Sequence, residues 1–248
     1  MEPRSSSTLR HVPGAVVGGA LWALCFRSEP GVVLPWFALL PLFLWIADPA
    51  VRGRGLLLLG WLHGAVSWLL SVYWIAPTLT TYGELPVVVG AALLLLLALY
   101  LGLYHGVFAL AAGWLRAGFD PRRGELRFAF LVAPALWVLL EGVRTVMFSG
   151  FPWNLAAYAL VEVPGALDAA ALVGSRGLSW WLVAVNGALA VGVLRRRWLP
   201  VAIAASGTVE LLAAGWLYRP ENQPRDAGDL EVRIVHPDVA IFEHRDEP

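Results

Sequence analysis

An acidic and a basic residue lie three positions apart in an otherwise apolar stretch of the chain. Glu141 and Arg144 belong to the run WVLLEGVRTVMFSGFPWNLAAY, which extends from Trp137 to Tyr158. Residues three apart share one face of an α-helix, so the carboxylate and the guanidinium are predicted to form an ion pair. Charges inside a membrane helix are costly and usually serve a function. The pair therefore marks this segment as the first candidate site.

The composition is typical of a polytopic membrane protein. Hydrophobic residues make up 58% of the 248 residues and charged residues only 15%. Soluble domains have roughly 45–50% apolar residues and about 25% charged residues. Every basic residue is arginine and the formal net charge is zero, so nothing indicates a nucleic-acid partner. The single cysteine excludes an internal disulfide and a cysteine zinc cluster. No nucleotide fingerprint occurs, and we expect neither a cofactor nor a metal.

Seven apolar stretches are predicted to be transmembrane helices, because about 20 residues cross a hydrocarbon core of about 30 Å. They cover residues 12–26, 31–47, 55–76, 86–115, 126–146, 177–194 and 198–218. The first two are short, and the fourth is long enough to tilt or to project from the bilayer. We therefore predict an all-α transmembrane domain over residues 1–218.

The distribution of arginines predicts the orientation of these helices. Most arginines lie before the first span or in the even-numbered loops, namely at Arg4, Arg10, Arg52, Arg54, Arg116, Arg122, Arg123, Arg127, Arg195, Arg196 and Arg197. Because cytoplasmic loops carry the excess of basic residues, the N-terminus is predicted to be cytoplasmic. The connections 73–86 and 148–174, and the tail after Tyr218, are then extracytoplasmic.

The last 30 residues change in character. Residues 219–229 are a polar linker, and residues 230–235 alternate apolar and charged side chains as a β-strand does. One strand cannot form a domain alone. We therefore interpret residues 230–248 as the first strand of a truncated domain.

A spaced set of residues around Glu141 and Arg144 resembles the membrane domain of bacterial apolipoprotein N-acyltransferases. The set consists of Pro134, Trp137, Glu141, Arg144, Gly150, Phe151, Pro152, Trp153 and Tyr158. Weaker matches are Trp61, Gly64, Trp68, Tyr73, Trp74, Ile75, Tyr82, Gly83 and Pro86 in the third span and its loop, the run YLGLYHGVFA in the fourth, and the run from Gly174 to Ser179 with Asn186 at the entry of the sixth. The family usually has the sequence F-G-G in this loop, whereas this chain has Tyr82-Gly83-Glu84. The E-x-x-R with G-F-P-W is the specific part of the resemblance.

The resemblance implies an enzyme of the bacterial plasma (inner) membrane. Such enzymes transfer an acyl chain from a phospholipid, through a cysteine thioester, to the N-terminal diacylglyceryl-cysteine of a lipoprotein. A glutamate, a lysine and a cysteine of an extracytoplasmic nitrilase-like domain perform the reaction, and the tail resembles the start of that domain. Here His236 and Asp238 stand where the family usually has glutamine and asparagine.

The catalytic triad of the family is not found in these 248 residues. The chain has no lysine, and its one cysteine, Cys25, lies in apolar sequence, where the reactive thiolate is disfavoured. We therefore expect no catalytic residue in this chain and no activity from it alone. It is interpreted as a fragment, or as one half of a split enzyme that is completed by a separate nitrilase-like chain.

The candidate site residues are thus expected to handle lipid and not to react. They are Glu141, Arg144, Gly150, Phe151, Pro152, Trp153, Tyr158, Tyr73, Trp74 and Tyr82. Glu141 and Arg144 either brace the outer loop and meet a lipid headgroup, or form a structural pair that fixes the fifth span against its neighbours. The aromatic residues either line an entrance for an acyl chain or headgroup, or anchor the helices at the membrane surface.

Two histidines and a glutamate also lie within predicted spans. His63 and His105 lie in G-x-x-x-G motifs, where histidine typically hydrogen-bonds across a close helix contact, and further metal ligands are not apparent. Glu210 is isolated and would face a cavity or the polar group of another span. The alternative to an acyltransferase is a non-enzymatic membrane protein, a transporter or a scaffold. Transporters typically show internal repeats, and none is visible here.

Overall fold

The computed structural model describes residues 9–27, 32–119 and 124–218. All regular elements in these ranges are helical, which confirms the predicted all-α class. The α-helices are α1 (Val12–Leu24), α2 (Leu40–Ala47), α3 (Arg54–Ser71), α4 (Ile75–Thr81), α5 (Val87–Ala117), α6 (Glu125–Arg144), α7 (Ala166–Arg195) and α8 (Leu199–Leu217). Short 3-10 helices cover Leu34–Trp36, Met147–Ser149 and Ala156–Leu160. The predicted linker and strand of residues 219–248 lie outside the described residues.

Helices occupy all seven predicted spans, but they differ in length. Within the described ranges, α5, α6, α7 and α8 are long and apolar enough to cross a membrane. The bent pair of α3 and α4 would make a fifth span if it is counted as one. The helices at the first two predicted spans are apolar but shorter. The chain is therefore a helical membrane protein with four to five full-length candidate spans.

The third predicted span is not one straight helix. α3 ends at Ser71, α4 begins at Ile75, and their axes differ by 48°. Pro77 explains the break, because it lacks an N–H for the Tyr73 carbonyl and its ring would clash with that carbonyl in a continuous helix. The span predicted over residues 55–76 thus consists of α3, a break and the start of α4.

α6 contains a π-helical stretch, Phe128–Val132, just before Pro134. In a regular helix the Phe130 carbonyl would accept a hydrogen bond from residue 134, and proline cannot donate one. The indole Nε1 of Trp180 donates to this carbonyl instead, at 3.1 Å. A side chain of α7 thus satisfies the freed backbone group and joins the two helices.

α7 begins earlier than predicted and is broken at a glycine. The expected span starts at residue 177, whereas α7 starts at Ala166 and bends at Gly174, which has φ +70°. Residues other than glycine rarely adopt this left-handed backbone conformation. The residues after the break correspond to the predicted sixth span.

Asn186, one of the residues that carry the family resemblance, fixes α7 to the start of α2. Its Oδ1 accepts from the Leu39 amide at 2.9 Å, and its Nδ2 donates to the Pro35 carbonyl at 3.0 Å. Pro35 belongs to the 3-10 helix Leu34–Trp36, and Leu39 directly precedes α2. A buried side chain therefore replaces the hydrogen bonds that a continuous helix would make.

Glycines allow α3 and α5 to approach closely. A Cβ placed on Gly102 would lie 2.6 Å from the Ala65 amide nitrogen, and one on Gly64 would lie 2.8 Å from the Gly102 carbonyl oxygen. At this contact the buried His63 and His105 form a hydrogen bond between their Nδ1 atoms, at 3.1 Å. The predicted role of both histidines in helix packing is confirmed.

Gly102→Ala is expected to push α3 and α5 apart, because the new methyl group meets backbone atoms that cannot rotate away. Overpacking of this kind costs roughly 1–3 kcal/mol. We expect a lower thermal unfolding temperature in detergent and a lower membrane yield. Gly118→Ala is the matched control, since its Cβ would lie 3.4 Å from the nearest heavy atom. Equal behaviour of the two variants would contradict the close contact.

The residues of the predicted cytoplasmic segments lie together at one end of the bundle. Asp48 after α2 is 3.3 Å from His11 before α1. Arg116 at the end of α5 donates to the Ala47 carbonyl at 3.4 Å and lies 3.7 Å from Glu125 at the start of α6. We call this the arginine-rich end; α6 finishes at Arg144 at the other end.

Candidate functional site

The candidate site lies where α6 ends and residues 145–165 connect it to α7. Glu141 and Arg144 are both on the inward face of α6, with only 5% and 4% of their surface exposed. Burial of both charges requires compensating polar partners. The structure shows that these partners are mainly backbone groups of the following connection.

Arg144 binds the carbonyl groups of three residues. Its Nη1 donates to the carbonyls of Phe151, at 2.9 Å, and Trp153, and its Nη2 is 3.4 Å from the carbonyl of Asn154. The guanidinium carbon also lies 4.7 Å from the ring centre of Trp68, which is within range of a cation–π interaction. One guanidinium thus fixes the path of the chain after α6.

Glu141 binds the next part of the same connection. Its Oε1 accepts from the amide of Ala156 at 2.7 Å and from the indole of Trp137 at 2.9 Å. Ala156 begins a 3-10 helix, whose first amides have no partner within that helix. The carboxylate therefore caps this helix.

The predicted ion pair between Glu141 and Arg144 is not formed. No nitrogen–oxygen distance of 4.0 Å or less joins the two side chains, and each one binds backbone atoms instead. The positive charge is placed against carbonyl oxygens and the negative charge against an amide N–H. We call the two residues and the segment 151–156 the carbonyl clamp.

Left-handed backbone conformations bring these carbonyls towards Arg144. Gly150 has φ +87°, and the non-glycine residues Phe148 and Asn154 have φ +50° and +49°. Such conformations cost of order 1–3 kcal/mol in a non-glycine residue and often mark functional sites. The Asn154 side chain also donates to the Ser71 hydroxyl at 2.9 Å, which connects the segment to the end of α3.

An apolar groove lies beside the clamp, between α5 and the start of the connection. Its volume is about 450 Å³, and it is lined by Leu93, Leu96, Leu97, Tyr100, Met147, Phe148, Gly150 and Phe151. The Phe148 ring is 80% exposed and stands 5.8 Å from the ring of Tyr100. Apart from the Tyr100 hydroxyl, the lining side chains carry no hydrogen-bonding group. The groove therefore suits a hydrocarbon chain.

A second cavity of about 440 Å³ is lined in part by residues of the segment 154–162. Its apolar wall includes Leu160 and Leu178, and its polar residues include Arg27, Tyr158 and Glu162. Cys25 also contacts this cavity, and its Sγ donates to the Leu21 carbonyl at 3.3 Å. The thiol is therefore engaged with its own helix.

The structure brings together some of the predicted site residues and separates others. Phe151 packs on Trp68 with ring centres 5.7 Å apart, and Trp153 packs on Trp74 at 5.2 Å. Pro152 lies between them in the clamp segment and is exposed. Tyr73 lies under Arg27, whose guanidinium carbon is 5.3 Å from its ring centre. Tyr158 lines the second cavity, and Tyr82 lines neither.

Sequence reasoning assigned no site role to Trp68, Tyr100 or Asn154. In the sequence, Trp68 contributes only to the family resemblance, because its contact with Arg144 joins residues far apart in the chain. Asn154 directly follows the G-F-P-W turn, and asparagine is one of the residues that tolerate a positive φ. This tolerance was the one signal in the sequence that pointed to Asn154.

Glu210 is neither isolated nor directed into one of the two cavities. Its Oε1 accepts from the Ser206 hydroxyl at 2.9 Å on the exposed face of α8. This contact lies within α8 and therefore indicates neither of the predicted alternatives, a cavity or a polar group of another span. A hydrogen bond one turn back along its own helix reduces the cost of the carboxyl group there.

The bundle of long apolar helices, with a buried clamp and an apolar groove at one end, defines a polytopic helical membrane protein. Its residues 18–188, which include α6 and the clamp, match the sequence profile of the apolipoprotein N-acyltransferase N-terminal domain. The chain belongs to this family.

Curated relatives agree with this assignment. The chain is 36% identical over 177 residues to an apolipoprotein N-acyltransferase of Geobacter metallireducens, covering 69% of the chain and 31% of that protein. It is 32% identical over 247 residues to a putative apolipoprotein N-acyltransferase of Bordetella parapertussis, covering 89% and 43%. A Vibrio parahaemolyticus apolipoprotein N-acyltransferase is 28% identical, with 93% and 44% covered. The chain spans less than half the length of these relatives.

Proposed function

We propose that this chain is the lipid-binding membrane domain of an apolipoprotein N-acyltransferase in the bacterial inner membrane. The reaction would transfer an acyl chain from a phospholipid to the diacylglyceryl-cysteine of a lipoprotein. The observation that carries the proposal is the apolar groove directly beside the carbonyl clamp. A groove without charged side chains suits an acyl chain, and the clamp fixes one of its walls.

The clamp is proposed to keep the groove in shape. Gly150 and Phe151 line the groove, and the Phe151 carbonyl binds Arg144. Loss of this contact would release the wall from α6. Of the two interpretations of Glu141 and Arg144, the proposal keeps the bracing of the loop after α6 and extends it to the shape of a lipid-binding groove.

The reacting groups are proposed to come from a nitrilase-like domain. The 248 residues include no lysine, and Cys25 is bonded to its own helix. A glutamate, a lysine and a cysteine of that domain would act as base, oxyanion stabiliser and nucleophile. The domain would be joined to this membrane domain or supplied by a separate chain, and without it we expect no acyl transfer.

The proposal is tested by supplying a nitrilase-like domain of this family in trans. Both chains are produced in bacteria depleted of their own N-acyltransferase, and the N-terminus of a lipoprotein is analysed by mass spectrometry. We expect a third acyl chain only when both chains are present. Equal acylation by the nitrilase-like domain alone, or no acylation despite co-purification of the two chains, would refute the proposal.

A further inference from the structure

A second polar cluster lies at the arginine-rich end, where α5, α6 and α7 meet. Arg195, at the end of α7, donates from Nε to Glu125 Oε1 at 2.7 Å, and its Nη2 is also 2.7 Å from that oxygen. Arg116, at the end of α5, has its Nη2 3.7 Å from the same oxygen. Two guanidinium groups thus share one carboxylate, and the triad has a net charge of +1.

Neighbouring residues increase this positive charge. Arg127, Arg196 and Arg197 are exposed and adjoin the triad in the sequence. Five arginines and one glutamate give this surface a net charge of +4. Arg116 and Arg195 keep 27% and 43% of their side-chain surface exposed. Both therefore retain N–H groups for a further anion, because a guanidinium carries five donors.

The surroundings of the triad match the headgroup level of a bilayer. Trp114 and Trp198 are 76% and 59% exposed near the ends of α5 and α8, and exposed tryptophans are typical of membrane–water interfaces. Leu126, Val193 and Leu194 expose apolar side chains next to the charged residues. A ligand at this place would meet cationic and apolar groups at the same time.

The cleft beside Glu125 is too small to enclose such a ligand. It is lined by residues that include Phe43 and Phe128, and its volume is about 20 Å³, which is close to the space for one water molecule. An anionic group would therefore bind on the rim, at the exposed edges of the two guanidinium groups.

We propose that the Arg116–Glu125–Arg195 triad binds the phosphate of an anionic phospholipid whose acyl chains lie along Leu126, Val193 and Leu194. Arginine forms strong charge-assisted hydrogen bonds with phosphate, and basic pockets between membrane helices bind anionic headgroups. The site is at the other end of α6 from the clamp. The inference therefore stands independently of the acyltransferase function.

The test compares lipid nanodiscs of phosphatidylcholine with nanodiscs that also contain phosphatidylglycerol. We expect phosphatidylglycerol to raise the thermal unfolding temperature and to remain bound in native mass spectrometry. Arg195→Gln should weaken phosphatidylglycerol binding about fivefold, and Arg116→Gln should do the same. For each variant, the unfolding temperature with phosphatidylglycerol is compared with that of the same variant in phosphatidylcholine alone. A general loss of stability therefore does not affect the comparison.

Arg54→Gln is the matched control, because Arg54 is an exposed arginine at the same end but outside the triad. It should keep the full effect of phosphatidylglycerol. Three results would overturn the site: equal stabilisation by both lipids, the same loss in Arg54→Gln, or the same stabilisation by inorganic phosphate. The last result would assign the triad to free phosphate and not to a lipid.

Discussion

Replacing Arg144 with alanine is expected to release the connection after α6 from the helix bundle. Three carbonyl groups would lose their shared donor, and Trp68 would lose the guanidinium above its ring. Each hydrogen bond to a charged group contributes about 1.5–3 kcal/mol. Since one side chain serves all three carbonyls, we expect a loss of about 3–5 kcal/mol in the free energy of unfolding.

Arg144→Lys separates charge from geometry. Lysine keeps the positive charge but has a single ammonium group, which cannot reproduce the planar fork of donors. We expect this variant to lie between wild type and Arg144→Ala in thermal stability, and acyl transfer in the two-chain assay to decrease in the same order. Normal membrane yield, stability and activity of Arg144→Ala would contradict the clamp. Arg54→Gln again serves as control.

The second large effect is expected at Glu141. In Glu141→Ala, the Ala156 amide and the Trp137 indole lose their common acceptor inside the bundle. A buried donor without a partner costs about 1–3 kcal/mol, so the variant should lose about 2–5 kcal/mol. Trp137 also contacts His105, with ring centres 5.0 Å apart, so the disturbance should reach the contact of α3 and α5.

Glu141→Gln tests whether the acceptor or the charge matters. Glutamine provides a carbonyl oxygen of the same reach, so it can still accept from Ala156 and Trp137. We expect it to retain most of the stability that Glu141→Ala loses, as measured by thermal unfolding in detergent. Hydrogen exchange at the Ala156 amide should be fast in the alanine variant and close to wild type in the glutamine variant. An equal loss in both variants would show that the negative charge itself is required.

The sequence allowed the prediction of the helical fold and of a buried position for Glu141 and Arg144, but not of the groups that these two side chains bind. The spacing of Glu141 and Arg144 placed both on one helix face, which the structure confirms. That same spacing favoured an ion pair, since nothing in the sequence shows that the next ten residues fold back against α6. This path depends on positive φ values at Phe148 and Asn154, which the folded environment imposes on non-glycine residues.

Breaks within helices were predicted poorly, because the hydropathy of a stretch does not show where its backbone leaves the helical conformation. The apolar stretch that ends near residue 76 continues through Tyr73 and Trp74, and only Pro77 indicates that α3 cannot continue as one regular helix through these residues. In contrast, the paired glycines of α3 and α5 predicted a close contact correctly. Glycine spacing determines how near two helix backbones can come, and this distance depends only on the residues at the contact.

The most direct test of the proposed lipid-binding function is photocrosslinking with a phospholipid that carries a photoreactive group on one acyl chain. The protein is labelled in nanodiscs, and the modified peptides are identified by mass spectrometry. We predict preferential labelling of Leu93–Tyr100 and Met147–Phe151, the two walls of the apolar groove, and a loss of this preference in Arg144→Ala. Uniform labelling of all lipid-facing helices, with no enrichment at the groove, would contradict the account.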